Sequence, residues 1–555
     1  MCKRSYPSHR SSTRWRLPAA ALLAAASLLA LFALAIDWGR GHDLLDVRAG
    51  QSFACLSYSP WTTGSESPLK NDFISPERIE RDLHRLRALT PCVRTYSSQL
   101  GLDAVPAIAA RLGMQVLQGI WISRNPIDNQ AEIDTALAAA SAAPEAVRAL
   151  VVGNEVLLRQ EQTPQAMLAL LEQVRARSPV PITYADVWEF WSRNEELASA
   201  VDFVTVHILP YWEDHPVGID AAIEHVASIH AQMRERFAPK DILIGETGWP
   251  DVGRQRGPAQ PGRIAQARFV RQWMVTAEAQ SIDYNLIEAF DQPWKRAHEG
   301  AMGGGWGVLH PDGTAKFDLR GQLAEAPALS RSMWIGALAG LALGVLSVIG
   351  MRRAGQTPGR ADRWSAVLVA AAFAIVALLL PWQLETWRTW NRDALEWIVS
   401  AGFTVLGDGA LLNVALRSFR SAHGASTHLP NKSHGQRFPG RTEPLTVIAT
   451  LLLLGAAYFA LLHALDPRYR GFPISLYIAP TLALLIQRIT LPGHATLPTH
   501  AAWLPALILA GAILMAWRGW PENQQAVTMT ALLLAMAMAG RTKRPANSAG
   551  QVAGS

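Results

Sequence analysis

Two short apolar runs of this 555-residue chain end in a glutamate. Val151–Glu155 reads VVGNE, and Ile242–Pro250 reads ILIGETGWP. Short apolar runs that are closed by a turn residue are typical of buried parallel strands. The carboxyl ends of such strands are where α/β barrels place their active sites. The two runs therefore predict a pair of carboxylates at one edge of a parallel sheet.

Six further runs of the same kind alternate with helical patterns along the chain. The predicted strands are Ser52–Tyr58, Cys92–Tyr96, Gln115–Trp121, Ala149–Gly153, Ile182–Ala185, Phe203–His207, Ile242–Gly245 and Tyr284–Phe290. Between them lie helical stretches such as Pro76–Leu89, with Ser75 as its N-cap, and Gly262–Gln280. Eight strands that alternate with helices predict an α/β fold, a (β/α)₈ TIM barrel, over residues 37–331.

The rest of the chain has the composition of a membrane protein. Half of all residues are hydrophobic and 17% are charged, against about 25% in an ordinary soluble domain. Leu17–Ile36 is an uncharged run of 20 residues that follows five cationic side chains, which predicts an uncleaved signal anchor rather than a signal peptide. Seven more apolar runs follow the predicted barrel: Met333–Met351, Ala366–Trp382, Leu395–Leu416, Leu445–Leu465, Pro473–Ile489, Ala501–Trp517 and Ala526–Gly540.

The distribution of basic residues predicts the topology of these eight candidate spans. With the N-terminus inside, the inner segments hold 18 Lys and Arg and the short outer loops hold five. We therefore expect a multi-pass protein of the bacterial inner (cytoplasmic) membrane. Its predicted segments are a cytoplasmic N-terminus (1–16), a transmembrane anchor (17–36), a periplasmic barrel (37–331) and a polytopic all-α transmembrane domain of about seven helices (332–555) with a cytoplasmic C-terminus.

The charge distribution and the cysteines indicate which kinds of ligand the chain is not expected to bind. The net charge of +6 divides into −9 for residues 37–331 and +15 for the remainder, so the basic residues belong to the apolar part and nucleic acid is not an expected partner. Cys2, Cys55 and Cys92 have no metal-ligand spacing. Cys55 and Cys92 either pair, if their strands are neighbours in an oxidising compartment, or are two small core residues.

Two carboxyl groups at one barrel mouth are what a glycosidase needs for catalysis. One carboxyl group protonates the leaving oxygen while the other attacks the sugar C1 or activates water. The alternative is that both glutamates are solvated loop residues. Because Glu155 and Glu246 follow strands four and seven, on opposite sides of the predicted mouth, we favour the catalytic interpretation.

Four segments resemble glycoside hydrolase family 17, the β-1,3-glucanases and β-1,3-glucanosyltransferases. They are VVGNE at 151–155, GETGWP at 245–250, EAFDQPWK at 288–295 and WGVLHPDGTAKF at 306–317. The resemblance implies a (β/α)₈ barrel in which Glu155 is the acid/base, Glu246 is the nucleophile and Asn154 binds the hydroxyl next to the reacting carbon. It implies nothing about the seven later apolar runs.

A retaining pair of this kind predicts carboxyl groups about 5–5.5 Å apart. We also expect the pKa of Glu155 to lie above that of a free glutamate, because the nearby charge of Glu246 disfavours a second ionisation.

Other polar and aromatic side chains at or just after strand ends are candidates for glucan binding, since sugars present apolar faces and hydroxyl edges. The predicted substrate-binding residues are Asn154, Tyr58, Arg94, Tyr96, Tyr184, His207, Tyr211, Trp249 and Trp294, with Trp121 as a further aromatic candidate. Core or loop packing is the alternative for each aromatic residue. Arg94 and His207 either support the carboxylates or are structural.

No cofactor and no catalytic metal is expected, since no HExxH, CxxC pair or Asp/His cluster occurs. The expected partners are a β-glucan and the lipid bilayer, with a glucan synthase or exporter as a third.

The alternative function is a glucan-export or assembly subunit whose barrel only binds glucan. Asp408, inside a candidate span, is a functional candidate in that case, unless its polar side packs inside the protein.

Overall fold

The computed structural model describes residues 15–353, 360–424, 444–465, 470–491, 497, 501–519 and 521–540. They form two compact units. The barrel unit is Gly41–Glu325, and the helical unit comprises the described residues of Met1–Arg40 and Ala326–Ser555.

Eight parallel strands close the barrel unit in sequence order, and the last strand pairs with the first. They are β1 (Leu56–Ser57), β2 (Cys92–Arg94), β3 (Gln115–Ile120), β4 (Val147–Asn154), β5 (Ile182–Val187), β6 (Val204–His207), β7 (Ile242–Thr247) and β8 (Tyr284–Leu286). The predicted TIM barrel is confirmed, and each strand overlaps its predicted run. β4 extends to Asn154, so that Glu155 is the first residue beyond the strand.

Helices connect successive strands on the outside of the barrel. Numbered along the whole chain after α1 (Arg16–Gly39) of the helical unit, they are α2 (Pro76–Leu86), α3 (Val105–Leu112), α4 (Pro126–Ala142), α5 (Pro164–Arg175), α6 (Trp188–Arg193), α7 (Ile219–Arg236), α8 (Arg263–Gln280) and α9 (Arg296–Glu299). The predicted N-cap of α2 is confirmed, because Ser75 Oγ accepts a hydrogen bond from the Arg78 N–H.

Side chains fill the barrel, so that a ligand has access to its mouth only. One buried apolar cluster lies inside the ring of strands, and a larger one lies between the strands and the helices. The inner cluster consists of Cys55, Cys92, Leu117, Ala149, Val151, Ala185 and Leu243.

Cys55 and Cys92 form a disulfide that ties the segment before β1 to the start of β2. These strands are neighbours, with Leu56 opposite Val93. The sequence left open a disulfide or two separate core cysteines, and the structure contains the disulfide. Both cysteines are buried inside the barrel.

All eight predicted apolar runs of the membrane part are helices in the helical unit. After α1 these are α10 (Pro327–Arg353), α11 (Arg360–Trp390), α12 (Ala394–Gly424), α13 (Pro444–Leu465), α14 (Ile474–Thr490), α15 (Leu504–Gly519) and α16 (Gln524–Gly540). Five of them, α1 and α10–α13, are long and apolar enough to cross a membrane. The last three have 16 or 17 residues, about 25 Å of helix against the roughly 30 Å of a bilayer core, so their length alone does not support eight spans.

Asp408 of α12 packs against a polar partner inside the helical unit. Gln383 of α11 donates a hydrogen bond from Nε2 to Asp408 Oδ1 at 3.2 Å. One turn along the same pair of helices, Trp387 Nε1 donates to Thr404 Oγ1 at 3.1 Å. These contacts agree with internal packing of a polar helix face.

The disulfide predicts a stability difference that can be measured. Replacing both Cys55 and Cys92 by alanine should lower the free energy of unfolding of the barrel by about 2–4 kcal/mol, because the cross-link restricts the unfolded chain. Thermal unfolding followed by near-ultraviolet circular dichroism would show a lower midpoint. As a control, dithiothreitol should lower the midpoint of the unmodified protein and leave that of the double variant unchanged. An equal response of both proteins would contradict the prediction.

Candidate active site

The two glutamates predicted from the sequence meet at the mouth of the barrel. Glu155 directly follows β4, and Glu246 is the fifth residue of β7. Together with His207 they offer three ligand atoms that all lie within 4.8 Å of one another. A carboxylate oxygen of one glutamate is thus no more than 4.8 Å from one of the other.

The backbone at the end of β4 turns sharply to place Glu155. The register with β5 shifts between Val151 and Asn154, and two residues have left-handed backbone angles, Gly153 with φ of +85° and Glu155 with φ of +51°. A left-handed conformation is uncommon for a glutamate and is typical of functional sites. The Glu155 N–H still bonds to the Ala185 carbonyl at 2.8 Å, so β5 holds the turn in place.

His207, the last residue of β6, lies between the two carboxylates. Its Nδ1 is 3.0 Å from Glu155 Oε1, and its Nε2 is 3.8 Å from Glu246 Oε1. The ring is buried. Gly245 makes room for it, because a Cβ at that position would come within 2.5 Å of the Thr205 side chain and 3.0 Å of His207 Cδ2.

Arg94, the last residue of β2, places a buried positive charge under this pair. Its Nη1 donates to the carbonyl oxygen of Gly245 at 2.5 Å and lies 3.3 Å from Glu246 Oε1, while its Nη2 donates to Asn154 Oδ1 at 2.6 Å. The guanidinium therefore connects β2, β4 and β7 beneath the mouth. It supports Glu246 and orients Asn154.

The expected rise in the pKa of Glu155 is wrong. Burial raises the pKa of its carboxyl group, but the hydrogen bond from His207 and the charges of His207, Arg159 and Arg94 outweigh burial, so the pKa lies below its usual value. Glu155 is therefore ionised at neutral pH. Only the negative neighbour, Glu246, could be anticipated from the sequence, because the positive neighbours come from other parts of the chain.

Asp186 of β5 is a second carboxylate close to Glu155 that the sequence analysis missed. Burial raises its pKa to about 6, and the charge of Glu155 adds to this although a hydrogen bond from Tyr184 opposes it. Its Oδ2 accepts a hydrogen bond from the Leu157 N–H at 3.2 Å. Asp186 thus holds the backbone two residues after Glu155.

Four of the predicted substrate-binding aromatics, Tyr58, Tyr184, Tyr211 and Trp249, are buried, and their polar atoms bond to the protein itself. Tyr58 donates its hydroxyl to Asp82 Oδ2 at 3.0 Å, and Tyr211 donates to the Arg254 carbonyl at 2.6 Å. Tyr184 donates to Asp186 and accepts from the Leu157 N–H. Trp249 Nε1 donates to the Gln260 carbonyl, and its ring packs on Phe269. Each side chain contacts the helices or loops outside the strands, and a role for these four residues in substrate binding stays a prediction.

The three other predicted aromatics, Tyr96, Trp294 and Trp121, are half-buried or exposed. Tyr96 lies under the Arg94 guanidinium, 4.8 Å from it; burial and then the charge of Glu246 raise the pKa of its phenol well above the usual value. Trp294 is half-buried and donates to Gln292 Oε1. Trp121 is 36% exposed, with the Arg159 guanidinium 4.1 Å above its ring.

The mouth also contains an ion pair on the β8 side. Lys295 Nζ lies 3.0 and 3.1 Å from the two carboxylate oxygens of Glu288. Burial raises the pKa of Glu288 to about 7, although Lys295 opposes the shift. Burial lowers the pKa of Lys295, but the charges of Glu288, Glu299 and Glu246 reverse this and raise it overall. Both residues belong to EAFDQPWK, one of the segments that resemble glycoside hydrolase family 17. The sequence did not indicate a role for either of them.

Glu155, His207 and Glu246 are also the described residues whose spacing could hold a metal ion. The Arg94 guanidinium, 3.3 Å from Glu246, already supplies a permanent positive charge there. A cation at this position would be repelled by it.

Comparisons with known proteins agree with this geometry. Residues 55–307 match the family model of the BtgE/BtgC glycoside hydrolase domain. A glucan 1,3-β-glucosidase of Arthroderma benhamiae is 27% identical over 257 residues, which cover 43% of this chain and 83% of the relative. A glucan 1,3-β-glucosidase of Schizosaccharomyces pombe is 24% identical, with coverage of 54% and 96%. A probable glucan endo-1,3-β-glucosidase, btgC, of Aspergillus clavatus is 27% identical, and the chain spans only 42% of its length.

Two solved structures are similar to the chain at a low level. A β-1,3-glucanosyltransferase of Rhizomucor miehei, in complex with laminaritriose, is 24% identical with a TM-score of 0.43 and covers 50% of this chain and 100% of its own. An endo-laminarinase of Formosa is 23% identical with a TM-score of 0.40, and the coverage is 47% and 84%. The family model and the curated glucan 1,3-β-glucosidases agree with the resemblance to glycoside hydrolase family 17 over residues 55–307, and the family model does not extend to α10–α16.

Proposed function

We propose that this chain, which carries a glycoside hydrolase family 17 barrel, is a retaining enzyme acting on β-1,3-glucan by hydrolysis or glucanosyl transfer. The observation that carries the proposal is the spacing of the carboxylates of Glu155 and Glu246, no more than 4.8 Å at their nearest oxygens. Retaining glycosidases have carboxyl groups about 5–5.5 Å apart, and inverting ones about 6.5–9.5 Å apart. The shorter spacing leaves no room for a water between the two groups.

In the first step a carboxylate oxygen of Glu246 attacks C1 of the sugar, and the bond from C1 to the leaving oxygen breaks. Glu155 gives its proton to that oxygen. In the second step water or a sugar hydroxyl attacks C1, its proton passes to Glu155, and the bond to Glu246 breaks. Water gives hydrolysis and a sugar gives a longer chain.

The surrounding residues suit these roles. Arg94 Nη1 donates a hydrogen bond to the Glu246 carboxylate and holds it in position, and Nη2 fixes Asn154 through Oδ1, so that the amide nitrogen of Asn154 is oriented to donate to a sugar hydroxyl. Glu155 is ionised without a sugar and must gain a proton before the first step. A bound glucan would exclude water from its carboxyl group, which raises its pKa.

Chemical rescue tests the two roles. Replacing Glu246 by alanine should abolish turnover, and azide should restore cleavage with an α-configured azide product. Replacing Glu155 by alanine should slow unactivated substrates by about 10²–10⁴-fold, spare the first step with good leaving groups, and give a β-configured azide product. Product configuration is read by proton NMR.

The surface variant Glu80→Ala serves as the control and should turn over normally without any response to azide. Swapped configurations would reverse the two assignments. Inversion by the unmodified enzyme would refute the retaining mechanism.

The contact between His207 and Glu155 predicts that replacing His207 shifts the pH dependence of kcat/KM. The alkaline limb of kcat/KM follows the pKa of the catalytic acid, and His207 lowers the pKa of Glu155 through its hydrogen bond and charge. His207→Ala removes both and leaves burial opposed only by the charges of Arg159 and Arg94, so this limb should move to higher pH. His207→Asn, which keeps a donor but no charge, should move it less. A limb that stays in place or moves to lower pH would contradict the prediction.

We also propose that the helical unit lies in a bacterial cytoplasmic membrane and that the barrel faces the periplasm, where it meets glucan. The 18-to-5 bias of basic residues and the five long apolar helices support this placement. A disulfide also forms more readily in an oxidising compartment. A glucan synthase or exporter in the same membrane would be the source of the substrate.

Fusions of alkaline phosphatase and of green fluorescent protein test the topology. The phosphatase should be active at position 200 and inactive at 358 and 430. The predicted side of the membrane for these three positions depends on α1 and α10–α12 alone. With α13 crossing, inactivity at 548 requires an odd number of crossings by α14, α15 and α16, so activity at this site would exclude the eight-span topology. Phosphatase activity at 430 would overturn the model.

A further inference from the structure

One face of α12 in the helical unit is apolar and exposed along most of the helix. Its exposed residues are Leu395, Ile398, Gly402, Val405 and Gly409, and the three larger ones are 62%, 69% and 67% exposed in chain order. These positions follow one another at alternating steps of three and four residues. That spacing is typical of the a and d positions of a left-handed pair of helices. We call this face the α12 seam.

The opposite side of α12 is buried within the helical unit. When Gly402 and Gly409 are taken as a positions, the b, c and f positions between and after them are all buried: Phe403, Thr404, Gly407, Ala410 and Leu411. A Cβ at Gly407 would come within 2.8 Å of the Pro480 ring of α14. One heptad register therefore separates the side of α12 that packs within the chain from the side that is open.

The glycines of α10 show what a glycine does at a contact between two helices of this unit. A Cβ at Gly336, Gly340 or Gly344 would come within 2.2, 2.4 and 2.7 Å of atoms of α11. A Cβ at Gly402 or Gly409 would meet nothing within 4 Å in the described chain. Because small residues let membrane helices approach closely, the two glycines of the α12 seam leave room for a helix from outside the described chain.

Two polar side chains flank the α12 seam. Asp408 is half-buried, and its hydrogen-bond partner among the described residues is the neutral amide of Gln383. Asn413 is also half-buried, and its side chain forms no hydrogen bond within the described chain. Inside a bilayer such groups need protein partners, because no water is present to satisfy them.

A second copy of α12 supplies both partners. Two copies in one membrane have the same orientation, so their α12 helices can pack in parallel around a twofold axis. In a parallel pair with this register, Asp408 takes a g position and faces the e position of the other helix, which Asn413 occupies. The Asn413 amide of each helix can then donate to the Asp408 carboxylate of the other. The twofold axis produces this contact twice, which favours a second copy over an unrelated helix.

We propose that the α12 seam is a dimer interface between two copies of this chain. Gly402 and Gly409 form the closest approach, and each Asp408 accepts a hydrogen bond from the Asn413 amide of the second copy. The proposal rests on the proposed placement of the helical unit in a membrane. It does not depend on the reaction at the barrel mouth.

Cysteine cross-linking in native membranes tests the interface. Two full chains with different epitope tags are expressed together in a Cys2→Ser background, which keeps the disulfide between Cys55 and Cys92. Ile398→Cys introduces a thiol into the α12 seam. Ile335→Cys on α10 is the matched control, since both isoleucines are 69% exposed. Copper phenanthroline then oxidises neighbouring thiols to disulfides.

We expect Ile398→Cys to give a disulfide-linked product that carries both tags, and Ile335→Cys to give none above background. Adding Gly409→Leu should reduce the product of Ile398→Cys to the level of the control, because a large side chain separates the two helices. The same change should leave the helical unit folded, since a Cβ at Gly409 meets nothing within 4 Å.

The hydrogen bonds have a test of their own with the full chain purified in detergent. Asn413→Leu should raise the dissociation constant of the dimer by about three- to tenfold, because two symmetric hydrogen bonds between helices are lost. Asn413→Gln keeps the amide and should raise it less. Energy transfer between labelled copies, measured on dilution, gives the constant.

Equal yields from Ile398→Cys and Ile335→Cys would overturn the dimer interface, and so would products of Ile398→Cys that join one tagged chain to a different protein. In both cases the membrane placement would stand. Recovery of the chain from the soluble fraction would refute the placement and this proposal together. The rescue experiments on Glu155 and Glu246 are unaffected by either result.

Discussion

The guanidinium of Arg94 is the constraint on which the candidate site depends. It is a buried charge at the centre of the barrel mouth, and its contacts reach the strand that carries Glu246 and the strand that ends before Glu155. A buried charge is tolerated only where it is paired and hydrogen-bonded. Glu246, the Gly245 carbonyl and Asn154 together pair with Nη1 and Nη2 of this guanidinium, so the stability of the mouth and the geometry of the carboxylates have the same origin.

The strand ladder was predictable from the sequence, but the direction of individual side chains was not. Strands of a barrel are buried on both faces, so that their runs lack the alternation that reveals which residues point inward. Tyr184 shows the consequence. Its neighbours Thr183 and Ala185 face the interior, and the tyrosine therefore packs among the outer helices. The sequence located it at a strand end but could not tell on which face it lies.

The location of the two glutamates, in contrast, was predictable from the sequence. Each follows an apolar run that is closed by glycine or asparagine, and a barrel brings all carboxyl ends of its strands to one face. Their ionisation was not predictable, because Glu155 responds to His207, Arg159 and Arg94, which come from other parts of the chain. Glu288 and Lys295 were missed since nothing in their local sequence indicates that they form a buried ion pair.

Gly245 shows how packing restricts the residue beside a reacting group. The position has an ordinary extended backbone that any amino acid could adopt, but the space for a Cβ is occupied by Thr205 and His207. An alanine there would displace the imidazole that touches both carboxylates. The residue before Glu246 can therefore vary in related chains only if the two β6 residues vary with it. The glycine is chemically inert, yet three strand positions must change together for it to be replaced.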